Sequence, residues 1–325
     1  MSKKMVFLGT GGTIAGTAAH TADNVGYTAA QVGVGQLLLA IPSLQHALGE
    51  YGFASEQVAQ VDSKDMGWVQ WRMLAQRVQH HLALPGVGSV VVTHGTDTLE
   101  ETAFFLSLVL PQQLLAQKPV VLTCAMRPAS SQAPDGPQNV LDAVAVARSA
   151  GARGVLVVCA GSVHSARDVQ KVHPYRLNAF DSGDAGPLAY VEEGQVRWLH
   201  AYPEVEMAVS DFPVAALTKD VWPRVEIITS YAGATGATVR ALCAAPGGAD
   251  QPLRGIVVAG TGNGTIHEGL ESALRDAQTQ GVRVVRATRC AYGSVVVGAA
   301  QGDFPDSQGL SPVKARIALM LELMS

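Results

Sequence analysis

Seven short runs dominated by valine, isoleucine and leucine constrain this chain more than any other feature: KMVFL (4–8), SVVVTH (89–94), PVVLTC (119–124), GVLVVC (154–159), RVEIITS (224–230), GIVVAG (255–260) and VRVVRA (282–287). A strand with one wet face alternates apolar and polar residues. These do not alternate, so both of their faces must be covered, as in a parallel sheet lying between helices. Helix-like stretches fall between them, over residues 68–84, 98–110, 139–150, 234–244, 267–280 and 312–324. This βαβ rhythm predicts an α/β fold with open, doubly wound sheets. At 325 residues the chain exceeds one ordinary domain. The rhythm breaks between about 160 and 222, where two short strands (LAYVEE and QVRWLH) meet at Gly194 and a polar run follows. The expectation is a larger N-terminal doubly wound, mostly parallel domain over 1–205, a linker over 206–222, and a smaller C-terminal α/β domain over 223–325.

Composition narrows the function classes. Apolar residues make up 48%, enough for sizeable cores. A net charge of −4 and a pI near 6.1 give no electrostatic footprint for nucleic acid or an anionic membrane. No apolar stretch approaches the ~20 residues that span a bilayer. The apolar run after Lys3 and Lys4 ends too soon for a secretory leader, which points to the cytoplasm; the alternative is a periplasmic protein whose leader was removed before this numbering begins. Four widely spaced cysteines, Cys124, Cys159, Cys243 and Cys290, form no C-x-x-C pair, so buried structural thiols are expected rather than zinc or a disulfide framework.

The first strand runs directly into VFLGTGGTIAG (6–16), at the end of a parallel strand where ligands collect. A dinucleotide loop needs G-x-G-x-x-G, and Ile14 stands where the third glycine belongs. A Walker loop needs a lysine that is absent here. Two readings remain: a tight turn, or a turn that presents a threonine hydroxyl, Thr10 or Thr13, as a nucleophile. The second strand end, VVTHGTDTLEETAFFL (91–106), places Gly95 to Asp97 in a turn, with Thr98 and Glu101 at capping-box spacing for a helix. Asp97 could be a helix-entry residue or a functional carboxylate. His94, Asp97 and Glu100 make a poor metal set, because no second His/Asp cluster completes it. In GSVHSARDVQK (161–171), Lys171 is either part of a solvated charge run or a base near the strand ends.

Together these elements resemble the bacterial-type L-asparaginases. TGGTIAG (10–16) matches one signature of that family and HGTDTLEETAFF (94–105) the other. GYTAAQVGVGQLL, VDSKDM, CAMRP, DGPQNVLDAV, RGVLVV, RDVQK, AGTGNGTI and SPVKARIALML follow in the expected order, so the likeness covers nearly the whole chain. The resemblance implies a cofactor-free and metal-free amidohydrolase acting on L-asparagine, with L-glutamine as a secondary substrate. It also implies a homo-oligomer, a tetramer built as a dimer of dimers, with each site at a subunit interface. By position, Thr13 is the implied nucleophile and Tyr27 helps move its proton. Thr96, Asp97 and Lys171 form a second catalytic group. Ser63 and Asp97 hold the substrate's α-groups, Ala125 meets its amide through the backbone, and Gly12 and Gly95 flank it. Backbone N–H groups of the Gly11–Gly12 and Gly95–Thr96 turns are the expected oxyanion donors. The sequence departs from relatives at two implied substrate-binding positions. At Lys64 they carry Gln or Glu beside the substrate carboxylate, so that the lysine either pairs with that carboxylate or crowds the pocket. At Thr265 they carry Asn or Ser, in a residue lent by the neighbouring subunit that bears on the balance between asparagine and glutamine. After TRCAYG the segment SVVVGAAQGDFPDSQG is shorter and lacks their glutamate, leaving Asp303 or Asp306 as substitutes. Three other readings are an amidotransferase subunit, a binding protein that kept the fold without the chemistry, and, on the glycine loop alone, a dehydrogenase.

Overall fold

The computed structural model describes residues 3–202, 217, 221–244, 252–296 and 304–324. The chain divides into two compact units, Met1–Thr218 and Lys219–Ser325. The expected linker over 206–222 falls almost wholly outside the described residues, as does Asp303.

The first unit is built on an eight-stranded sheet. Its strands are β1 (Lys4–Gly11), β2 (Gly52–Val61), β3 (Val87–Thr93), β4 (Val120–Thr123), β5 (Val155–Cys159), β6 (Ser162–Ser165), β9 (Ala189–Glu192) and β10 (Gln195–Trp198), in the order β10-β9-β6-β5-β4-β3-β1-β2. The five strands β2, β1, β3, β4 and β5 run parallel; β6, β9 and β10 are antiparallel. A separate ribbon pairs β7 (Gln170–Lys171) with β8 (Phe180–Asp181). The helices are α1 (Val34–Leu39), α2 (Leu44–Leu48), α3 (Trp68–Ala83), α4 (Leu99–Val109), α5 (Gln112–Leu115) and α6 (Gly136–Arg148).

Because side chains alternate across a strand, Met5, Phe7, Val91, Val121, Leu156 and Val158 share one face and pack with α1, α2 and α6. Val6, Leu8, Val90, Val92 and Leu122 point the other way and are equally buried. There α3 and α4 present Leu74, Val78, Leu82, Phe104 and Phe105, with Trp71 stacked on Phe105 at 4.7 Å. Burying a side chain of this size contributes about 1.5–3 kcal/mol. The parallel run stops at a two-residue turn, Ala160–Gly161, with φ of 49° and 74°, the geometry that folds β6 back on β5. Glu193–Gly194 makes the same turn between β9 and β10.

The second unit is a parallel sheet, β11 (Arg224–Thr229), β12 (Leu253–Gly260) and β13 (Arg283–Thr288). Helices α7 (Ala237–Ala244) and α8 (Glu268–Thr279) share an apolar core with Ile228, Ile256, Val258 and Val284. Helix α9 (Pro312–Glu322) comes so close to the strands that a Cβ at Gly255 would stand 2.9 Å from Leu319. All seven apolar runs are strands. The first unit is thus a mostly parallel α/β sheet domain, and the second a smaller α/β domain.

Candidate active site

In-register pairing of β1 and β3, from Met5↔Ser89 to Gly9↔Thr93, brings their C-terminal ends together. The loops beyond them press backbone against backbone. A Cβ on Gly12, whose φ is 81°, would run into the Cα and N of Gly95. A Cβ on Gly95 would stand 2.5 Å from Ser63 Oγ and 2.9 Å from Gly12 Cα. Only glycine fits at either position. The Gly12 N–H donates to the Val61 carbonyl at 2.9 Å. This corrects the expectation that it serves as an oxyanion donor, since joining β1 to the end of β2 occupies it.

Beyond Gly12 a single 3-10 turn, Thr13–Ala15, buries the Thr13 side chain. Its Oγ1 lies 2.7 Å from the Tyr27 hydroxyl. Tyr27 arrives on a loop closed by the Thr17–Thr28 bridge, with backbone bonds of 2.8 and 2.9 Å, and braced where Asp23 accepts the N–H groups of Val25 and Gly26. Half-burial pushes the phenol above its usual pKa, with the nearby Asp97 and Asp62 charges adding to the rise. Tyr27 is therefore protonated at neutral pH, and it can accept a proton only while passing its own on.

Past Gly95, the Thr96 hydroxyl is buried and receives a hydrogen bond from Lys171 Nζ at 2.8 Å. The same Nζ pairs with Asp97 Oδ1 at 2.6 Å. Lys171 is not in a free loop: it sits in the β7–β8 ribbon opposite Phe180, and its backbone N–H donates to the Glu100 carboxylate. The Asp97 N–H donates to Ser63 Oγ at 3.1 Å, and the Thr98 hydroxyl donates to the Ser63 carbonyl at 2.7 Å. Thr98 consequently makes no side-chain cap for α4, which corrects the capping-box expectation; its hydroxyl ties the two loops together instead.

Lys64 lies on the rim, its ammonium 2.9 Å from Asp62 and 3.0 Å from Asp65, and these carboxylates raise its pKa. Ala125 is buried just past β4, against the positions of Gly136 and Ile14. Asp135 holds the chain there by accepting the Met126 and Arg127 N–H groups, each at 2.9 Å. Cys124 and Cys159 are buried, with their sulfurs 3.6 Å apart, while Cys290 is exposed. Thr265 belongs to the second unit, where its Oγ1 meets Thr261 Oγ1 at 2.8 Å.

Sequence reasoning weighed His94 only as a metal ligand, and both of its ring nitrogens are engaged otherwise: Nδ1 with the Gly95 carbonyl at 2.7 Å, and Nε2 with Thr102 Oγ1 at 3.0 Å. Trp71 Nε1 donates to that hydroxyl at 2.9 Å. Burial pushes the His94 pKa down to about 4, so the ring is neutral near pH 7. Thr102 stands eight residues beyond His94 on α4, three positions after its first residue, and Trp71 on α3; no sequence spacing links the three. Among the described residues, no group of three or more His, Cys, Asp or Glu side chains could hold a metal ion.

Residues 4–204 match the family model of the asparaginase N-terminal domain, and 224–325 that of the glutaminase/asparaginase C-terminal domain. The chain is 36% identical to the glutaminase-asparaginase of Pseudomonas fluorescens biotype A, over 98% of this chain and 86% of that one. It is also 36% identical to L-asparaginase 2 of Escherichia coli strain K12, over 98% of this chain and 88% of the relative. A crystal structure of a probable cytoplasmic L-asparaginase of Campylobacter jejuni superposes with a TM-score of 0.89 at 35% identity, covering 100% of this chain and 96% of that one. With both domain models matched in order and full-length relatives above 30% identity, the chain belongs to the asparaginase family.

Proposed function

We propose that this protein hydrolyses L-asparagine to L-aspartate and ammonia through a threonine ester, without metal or organic cofactor. The observation that carries the reading is the pair of hydroxyl groups, Thr13 and Thr96, buried at adjoining strand ends and each in contact with a proton-moving group. An amide is a poor electrophile, and a covalent intermediate divides its hydrolysis into two lower barriers. Thr13 Oγ1 attacks the side-chain carbonyl carbon while its proton passes to Tyr27, which gives up its own toward solvent or substrate. The Thr96 N–H receives the developing oxyanion, a donor of a kind that contributes a few kcal/mol. The departing nitrogen needs a proton, and the Lys171–Thr96 chain supplies it. Ammonia leaves, water takes its place, and attack on the Thr13 ester releases aspartate and restores the hydroxyl.

Asp97 takes the substrate's α-ammonium and Ser63 its α-carboxylate, by charge-assisted hydrogen bonds. Gly12 and Gly95 leave the reacting carbonyl room between them, and the Ala125 backbone meets the side-chain amide. Lys64 adds charge at the rim, tempered by its two acidic neighbours. Thr265 of a neighbouring subunit completes the pocket in a tetramer, and the second domain, 223–325, supplies that contribution. A glutaminase-asparaginase among the relatives makes L-glutamine the second substrate to test.

Ammonia release from L-asparagine and L-glutamine, compared between wild type and Thr13→Ala, tests the assignment. Wild type releases ammonia; the variant, with unchanged circular dichroism and sedimentation, falls by a factor on the order of 10⁴ or more. A variant retaining a tenth of the rate removes Thr13 as nucleophile. A wild type silent on both amides turns the reading toward a binding protein.

A further inference from the structure

We propose that His94 is a positioning residue: from within the core it sets the tilt of the Gly95–Thr96 peptide and thereby aims the Thr96 N–H at the substrate's acyl oxygen. The inference rests on the hydrolase reading for its catalytic consequence, but not for its geometry.

Donor counting fixes the proton on the ring. The Trp71 indole N–H can only donate, and it gives its proton to Thr102 Oγ1 at 2.9 Å. That hydroxyl keeps a second lone pair as well as its own proton, so its contact with His94 Nε2 at 3.0 Å fits either direction. The Gly95 carbonyl decides it: a carbonyl only accepts, so at 2.7 Å Nδ1 carries the proton, and Nε2 of the singly protonated ring accepts from Thr102. The other tautomer would set the Nδ1 lone pair against the carbonyl lone pairs at that distance. Complete burial disfavours the doubly protonated, charged ring, which leaves the Nδ1–H tautomer.

The carbonyl and N–H of a planar trans peptide point to opposite sides, and no cis bond is present among the described residues. His94, 0% exposed, draws the Gly95 oxygen to its own side, so the Thr96 N–H of the same peptide points away from the ring. Gly95 is glycine because Gly12 and Ser63 crowd it, and glycine has the widest choice of φ and ψ. Without a side chain to restrict this peptide, a bond to its oxygen has to do so. His94, Thr102 and Trp71 form that brace, anchored on two helices.

Two variants of the full-length protein test this. Asn at 94 can place an amide N–H where Nδ1–H stands, whereas Leu fills the space without a donor. His94→Leu is expected to lower kcat for L-asparagine by about 10–100-fold with KM within threefold, while His94→Asn recovers kcat to within about fivefold of wild type, because a misaimed oxyanion donor acts on the transition state. Equal losses in the two variants, or a loss confined to KM, overturn the proposal. If His94→Leu does not fold, His94→Asn decides alone, a kcat more than tenfold below wild type counting against it. The geometry has its own readout in nitrogen-15 NMR: a protonated Nδ1, an unprotonated Nε2, and a Thr96 amide resonance kept by His94→Asn. A protonated Nε2 in the wild type overturns the inference whatever the activity. A wild type that releases no ammonia while showing the Nδ1–H tautomer sinks the hydrolase reading and leaves the brace standing.

Discussion

Both units of the molecule end a parallel strand in a glycine-rich turn set with threonines, yet the two turns are physically different. After β1, Thr13 is 7% exposed and its hydroxyl is met by Tyr27. After β12, in AGTGNGTI (259–266), Thr261 and Thr265 bond each other across an exposed bridge. Both strands are buried over the residues leading into their turns, Met5–Gly11 and Gly255–Gly260, and both turns contain positive-φ glycines. In the first unit a second strand-end loop closes on the first at Gly12 and Gly95, with the His94 brace behind it and the Lys171–Asp97 pair at its edge. A glycine turn therefore supplies only a conformation; convergence of two such turns brings the Thr13 and Thr96 hydroxyls, each with its own partner, to adjoining strand ends.

The strongest way to break this contrast is Gly12→Ala. The added Cβ meets Gly95 backbone rather than a flexible side chain, so one loop has to withdraw. The expected cost is on the order of 3 kcal/mol or more, with ammonia release down by at least 10³-fold. Denaturant unfolding and the ammonia assay check it, and a variant of wild-type stability shows that the loops do not need their contact. Lys171→Met comes next. It keeps the length of the side chain and removes the ion pair and the Thr96 contact, so kcat falls by about 10²–10⁴-fold. The β7–β8 ribbon keeps its tether, because Glu100 holds the Lys171 backbone rather than its side chain. A kcat within threefold of wild type moves the proton chain elsewhere.

A third expectation concerns pH. His94 has a folded pKa near 4, depressed from the ordinary 6.5, so the unfolded chain binds its proton first as pH falls. The group's contribution is present above 6.5 and is lost as pH drops toward 4, about 2 kcal/mol between pH 7 and pH 5. Unfolding free energies at those two pH values, for wild type and His94→Asn, isolate the effect: the variant shows a shallower fall by about that amount. Parallel falls place the titrating group elsewhere.

How far the sequence could anticipate all this follows from what each feature depends on. The parallel strands are legible because burial on both faces leaves an unbroken apolar run, and Thr13, Thr96 and Asp97 stand out because they sit in compact motifs at strand ends. Strand β2 falls outside the apolar runs, since it is an edge strand with a largely exposed, mixed-polarity sequence. Strand β6 hides behind Ala160–Gly161, which makes a two-residue hairpin turn without the Asn-Gly or Asp-Gly pair that announces one. The two-residue strand carrying Lys171 is too short for any periodicity. His94 is conspicuous as a residue, but its role depends on Trp71 and Thr102, brought to it by two different helices. The corrected oxyanion donor has the same origin: nothing local to Gly12 says that Val61, some fifty residues away, will take its N–H.

The smallest effect belongs to the second unit's turn, and it sharpens the contrast from the other side. Thr265→Val removes one hydroxyl of an exposed pair and leaves Thr261 open to water, so unfolding free energy stays within about 0.5 kcal/mol of wild type. A larger loss makes this turn a structural brace like that at Gly95 and ends the distinction between them. Its contribution is instead expected in specificity. If the hydroxyl borders a neighbouring subunit's pocket, the ratio of kcat/KM for L-asparagine to that for L-glutamine shifts by about 3–30-fold, the range of one lost hydrogen bond, while activity on the better substrate survives. An unchanged ratio keeps Thr265 out of the pocket and leaves substrate choice to the first unit's residues. Stability and selectivity separate here because an exposed hydroxyl pair has little to lose on unfolding, whereas one facing a bound amide is desolvated only when substrate arrives.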